Sequence, residues 1–160
     1  MYSVRTLIFL LISFSPATFA QGVGDIPFDP TRDNKDFKLC NPNWVWQGYW
    51  LKTKMDETSI AVAQEVRSRF QTKDEWKNES GIIRIRFLIN CQGQSDRFRL
   101  LELDFDLHEK KFSESLRAHV LTIAKQVQWP ARRTQQHEAV DYYHYFTLRI
   151  TNGQLTDIIQ

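Results

Sequence analysis

The sequence predicts an α+β domain, a small antiparallel sheet with a helix packed on one face. Three stretches carry that expectation. In residues 81–91, Ile83, Ile85, Phe87 and Ile89 fall on one side and Arg84 and Arg86 on the other, the period of a half-buried strand. Residues 141–151 alternate again, with Tyr142, His144, Phe146, Leu148 and Ile150 opposite Tyr143, Tyr145, Thr147, Arg149 and Thr151. Between them, Leu116, Val120, Ile123 and Val127 form a helical stripe, widened by Ala124, that needs a sheet to cover. The expected strands are 82–90, 97–103, 141–151 and 154–159, with the 113–128 helix lying across them.

Taken in order, residues 1–20 read as a secretory signal peptide. Arg5 is the basic start, Leu7 to Phe14 the apolar core, and Thr18-Phe19-Ala20 the small-residue cleavage site. The apolar run is too short to span a bilayer, which takes roughly 20 residues. No other stretch is long and apolar enough, so an integral membrane segment in the mature chain is not expected. Removing Arg5 leaves 20 basic and 19 acidic residues of the full chain's 21 and 19, a formal charge of +1. Those charges are interspersed along the sequence, which argues against nucleic acid as a partner.

Residues 21–43, rich in Gly, Pro, Asp and Asn, read as a loosely structured leader. A single α+β domain is expected over 44–160. Its first segment, from Trp44 to Trp50, holds three Trp and a Tyr and is expected to lie over the core. Residues 57–71 carry Ile60, Ala63, Val66 and Phe70 at helical spacing, with Glu65 and Arg69 placed to pair at i,i+4. After the turn at 92–96, residues 97–105 read as a strand whose apolar side switches near Leu100-Leu101, as one β-bulge would arrange. Asp106 with Glu109 offers a capping box and Ser113 a later N-cap, while Trp129-Pro130 ends the helix. Asn152-Gly153 is a type I′ hairpin signal returning the chain as 154–159.

Cys40 and Cys91 are the only cysteines. In an exported chain an isolated pair reads as a disulfide. It closes a loop of about 51 residues, worth about 4 kcal/mol in the chain-entropy account.

Evidence for chemistry is thin at this level. Glu102, Asp104 and Asp106 share a side of a regular strand, the pattern of a hard-cation site or an acid/base pair and equally of a solvated edge. His108, His119, His137 and His144 show no His-x-x-x-His or His-Glu-x-x-His spacing. Neither a Gly-x-Ser-x-Gly elbow nor a glycine-rich phosphate loop is present. The expectation is therefore no enzyme, no catalytic residue, no cofactor and no metal. Asn78-Glu79-Ser80 matches a glycosylation acceptor, a tripeptide common by chance.

Residues 81–159 resemble a TonB carboxy-terminal-like domain of the divergent exported form found in Bacteroidetes. The matching pieces are Gly-Ile-Ile-Arg-Ile-Arg-Phe-Leu-Ile-Asn-Cys-Gln-Gly at 81–93, Trp129-Pro130-Ala131, and Asp141 to Ile150 before Asn152-Gly153. TonB itself carries a membrane anchor and a long proline-rich spacer, whereas this chain has a cleavable signal and five prolines. The resemblance implies a periplasmic or envelope-associated, non-catalytic module that takes an extended protein or peptide partner, such as an envelope protein, by strand addition. Tyr143, Tyr145 and Arg149 are the peptide-binding residues it points to. A structural accessory protein of the envelope is the alternative, and a hydrolytic enzyme with a site assembled from distant residues the second.

Overall fold

The computed structural model describes residues 26–51 and 57–159; the expected signal peptide lies outside the described residues. The α+β class is observed. Strands are β1 (Trp46–Gln47), β2 (Gly81–Ile89), β3 (Ser95–Leu103), β4 (Arg132–Arg133), β5 (Ala139–Val140), β6 (Tyr142–Thr151) and β7 (Gln154–Ile159). Helices are α1 (Glu57–Arg69) and α2 (Glu114–Gln126).

The main sheet runs β1-β6-β2-β3, with β7 also paired to β6. β2 is antiparallel to both β3 and β6, and β6 to β7. One expectation needs correcting: the sheet is mixed, because β1 pairs parallel to β6 through Trp46 with Tyr142 and Gln47 with Tyr143. The leader approaches β6 from the side of the Cys40–Cys91 disulfide, so its short strand arrives in the same direction as β6.

The alternation of β2 sets the two faces of the sheet. Ile83, Ile85, Phe87 and Ile89 are fully buried beneath α2, together with Tyr142, Phe146, Leu148 and Ile150 of β6. α2 closes this front face with Leu116, Val120, Ile123 and Ala124. Its N-cap is Ser113, whose Oγ accepts the Leu116 N–H at 3.4 Å; the capping box at Asp106 and Glu109 is not used, because both precede the helix in a loop. The chain turns extended at Val127, and the Trp129 indole N–H donates to the Ala124 carbonyl at 2.9 Å, satisfying an orphan acceptor at the helix end.

α1 forms where its periodicity places it, but its buried stripe is Val62 and Val66, and Ile60 is 50% exposed. The helix leans on the core through one narrow seam, so Ile60 rotates out of reach. Glu65 and Arg69 pair at 2.8 Å.

The bulge in β3 also moves. Arg86 pairs with Arg99 and Leu88 with Asp96, so Arg97 and Phe98 together oppose Phe87. Arg97 adopts φ 58°, the left-handed geometry of a bulge. This sends Phe98 inward to stack on Phe87 at 4.8 Å. From there the alternation is regular, with Arg99, Leu101 and Leu103 on the back face.

The segment from Ile26 to Val45 crosses the back face at one end. Ile26, Phe37, Leu39 and Val45 pack on Leu88 and Tyr143. Trp46 joins the core, whereas Trp44 and Tyr49 are exposed, so the aromatic run covers the core only in part.

Candidate functional site

At the end of β3 the chain makes a tight loop through residues 104–108. The Asp104 N–H donates to the His108 carbonyl at 2.9 Å, and the Leu107 N–H to the Asp104 carbonyl at 3.3 Å. Leu107 takes φ 67° to complete the turn. Asp104 organises the loop from inside: its Oδ1 accepts the backbone N–H groups of Asp106 and His108, each at 2.9 Å. These bonds, that from His108 foremost, hold the Asp104 carboxyl below the ordinary aspartate range. Its other oxygen lies 3.4 Å from His108 Nδ1.

The consequence is a convergence that spacing rules for zinc do not describe. The ligand atoms of Asp104, Asp106 and His108 all lie within 4.8 Å of one another. Two carboxylates and an imidazole, exposed or half-exposed, are the ligand types that divalent transition metals accept. The expectations of no enzyme and of a purely non-catalytic module are therefore corrected by this cluster. A regular strand through these positions would put Asp104 and Asp106 on one side and leave His108 beyond its end. In fact β3 ends at Leu103, and the turn folds His108 back onto Asp104. The Asp-x-Asp-x-His alternation was the available signal. Glu102, the third carboxylate of the expected row, points elsewhere. It accepts the Phe112 N–H at 2.8 Å and Arg117 Nε at 2.9 Å, tying α2 to the sheet.

A second group, Cys40, Cys91 and Asp141, gathers residues that are distant in sequence. Cys40 and Cys91 form the expected disulfide, so neither sulfur is a thiolate donor. Asp141 is 1% exposed, and its two oxygens accept the N–H groups of Asn41 at 2.6 Å and Cys91 at 2.8 Å. The carboxylate replaces strand partners on both sides of the disulfide, a structural role.

Tyr143, Tyr145 and Arg149 share the back face of β6. That strand is not an edge: β2 pairs along one side of it, and β1 and β7 along the other. β6 is therefore no free edge at residues 142–143 and 147–151, where these partners pair. On this face Arg84 lies over the Tyr145 ring at 5.2 Å, Arg86 over Tyr143 at 5.1 Å, and Arg149 over Phe105 at 4.5 Å. Phe105 lies between the two aspartates of the loop in sequence.

The remaining histidines lie away from the loop. His119 packs between Phe70 and Trp76 and accepts the Gln71 N–H at 3.3 Å; burial holds its pKa below the ordinary value. His144 lies among the rings of Phe87, Trp129 and Tyr142, and burial lowers its pKa to about 4. The His137 carbonyl receives Arg133 in the turn between β4 and β5. Among the described residues, no helix is long and apolar enough to cross a membrane.

Comparison with protein-family models, with curated proteins and with solved structures finds no match to this chain.

Proposed function

We propose that the loop at 104–108 binds a divalent cation through Asp104, Asp106 and His108, and that the protein is a cation-dependent hydrolase. The carrying observation is the convergence of three ligand atoms within 4.8 Å on a turn already fixed by backbone hydrogen bonds. Asp104 is held ionised and oriented before any ligand arrives, which reduces the ordering cost of binding. A mixed oxygen and imidazole set suits Zn²⁺ or Mn²⁺. Asp104, Asp106 and His108 would hold the cation, which would supply the activation of water that hydrolysis needs.

Around that site, we further propose that β2, β3, α2 and β6 form a TonB carboxy-terminal-like core within one unit over 44–160, and that the chain is exported. The strand-strand-helix-strand order supports the first, and the disulfide supports an oxidising compartment.

Calorimetric titration of chelator-treated protein with Zn²⁺ and Mn²⁺ tests the cation step. Asp106→Asn is the informative variant, because Asp104 also builds the turn. It should weaken binding by about tenfold or more. A panel of carboxylic esters, phosphoesters and peptides then tests hydrolysis, with activity expected to follow cation occupancy. Absence of cation binding, or Asp106→Asn binding as tightly as wild type, would refute the site. A bound cation with no turnover on any substrate would leave a loop stabilised by metal and sink the hydrolase.

A further inference from the structure

We propose that the open back face of the sheet docks flat on an anionic lipid bilayer. The proposal uses this face and the Phe105 ring at its border, and needs no cation at the loop. Three guanidinium groups, Arg84, Arg86 and Arg149, lie over aromatic rings there, and Arg84 and Arg149 are exposed. Arg84 donates through Nε to the Thr147 hydroxyl at 3.2 Å. Among the described residues, none of the three forms an ion pair. Arg99, their neighbour on β3, is neutralised by Asp33. The strand register places two carboxylates on this face: Asp157, opposite Arg149 on β7, and Asp96, opposite Leu88 and buried at the end that the leader covers. The patch is therefore cationic, although the chain as a whole carries only +2.

Its apolar content decides the kind of anionic partner. Leu101, Phe105, Tyr145 and Ile159 are each at least 40% exposed, and the register sets Leu101 beside Arg84 and Ile159 beside Thr147. Apolar side chains interleaved with arginines across a pleated surface match the headgroup boundary of a membrane. There, rings and aliphatic groups enter the acyl edge while guanidiniums meet lipid phosphates. A soluble polyanion would use the charges and leave these apolar groups in water. Among the described residues, the segment from Ile26 to Val45 covers the Leu88 and Tyr143 end of the face, and Leu101, Tyr145 and Ile159 beyond it are exposed.

Vesicle co-sedimentation of the full mature chain, with EDTA present throughout, tests the inference. EDTA removes any contribution of a cation at the loop, so failure here leaves the hydrolase proposal standing and the reverse also holds. Binding is expected to vesicles of phosphatidylcholine with a minority of phosphatidylglycerol, and not to phosphatidylcholine alone. Arg84→Gln/Arg86→Gln/Arg149→Gln should weaken binding by about fivefold per charge removed. Circular dichroism should show the variant folded, since these side chains lie outside the core. Arg67→Gln/Arg69→Gln/Lys73→Gln removes the same charge elsewhere and should bind like wild type. Ile159→Asp should weaken binding as well, because an apolar contact becomes a repelled one. Equal loss in both triple variants, equal binding to both vesicle types, or a dimer that only the first triple variant dissociates would overturn the proposal.

Discussion

Arg99 grips Asp33 with both arms of its guanidinium, Nη1 to Oδ1 at 2.8 Å and Nη2 to Oδ2 at 2.7 Å, across 66 residues of sequence. The Asp33 side chain is 1% exposed, so this is the principal charged clamp holding the leader on β3. Arg99 also donates to the Pro27 carbonyl at 2.8 Å, and Arg97 to the Ile26 carbonyl at 3.2 Å. Arg99→Ala leaves a buried carboxylate without its partner, and a loss of about 2–4 kcal/mol is expected. Urea denaturation measures it. Arg99→Lys should recover only part, because an ammonium cannot reproduce the fork. An Arg99→Ala midpoint equal to wild type would contradict the clamp.

The same pair predicts an acid limit. The hydrogen bond from Arg99 lowers the Asp33 pKa below 3.8, so the folded state binds its proton less readily than the unfolded chain. Stability from this pair is complete above that ordinary value and is lost as pH falls through the folded one. Asp33→Asn should remove that part of the acid transition.

The disulfide and Asp141 hold the other end of the leader. Cys40→Ser/Cys91→Ser should lower stability by at most about 4 kcal/mol, since Asp141 still accepts the N–H groups of Asn41 and Cys91. Limited proteolysis should then cut first between residues 26 and 45, before any cleavage in β2 or β6. Simultaneous loss of the whole fold would show that the leader is no separate layer.

The strands and α2 were legible because each carries a periodic apolar face long enough to dominate local preference, as Ile83 to Ile89 do. The mixed sheet was not, because β1 is two residues long and is held by the disulfide and Asp141 rather than by pattern. The bulge escaped for a related reason: Arg97 has no turn-forming side chain, and only the inward demand of Phe98 fixes its position. At the candidate site the carboxylates were visible as Asp104 and Asp106. Their partner His108 was not, since reading a strand through 105 put it out of reach, whereas the turn brings it back.

Gly153 separates a backbone requirement from a packing one. It adopts φ 75°, and a Cβ there would lie 2.6 Å from the Trp76 carbonyl oxygen. Its N–H also donates to the Glu79 carbonyl at 2.8 Å, so the hairpin cannot swing away cheaply. Gly153→Ala is expected to cost about 2 kcal/mol or more, beyond the roughly 1 kcal/mol of the left-handed backbone alone. Gly93→Ala is the comparison, with φ 82° and a nearest approach of 3.1 Å. Thermal melts should rank Gly153→Ala below Gly93→Ala; the reverse order would show that the Trp76 contact yields.

His144 sets a second pH window, above that of Asp33. Burial, aided by the nearby charge of Arg132, lowers its pKa from 6.5 to about 4. The folded state therefore keeps the imidazole neutral where the unfolded chain already takes up a proton. Stability is full above the unfolded value of 6.5 and declines as pH falls from there toward 4. One proton corresponds to about 1.4 kcal/mol per pH unit over that range. Part of the ring reaches solvent, so the total is set at about 2–3 kcal/mol rather than the full product. His144→Phe keeps a ring against Phe87 and Trp129 and removes the titration. Urea midpoints for wild type should fall between about pH 7 and pH 5, whereas those of His144→Phe should stay nearly level until the carboxylates begin to protonate. A wild-type midpoint flat across that interval, or an identical slope in both proteins, would show that the imidazole is already protonated in the fold or that another group governs the transition.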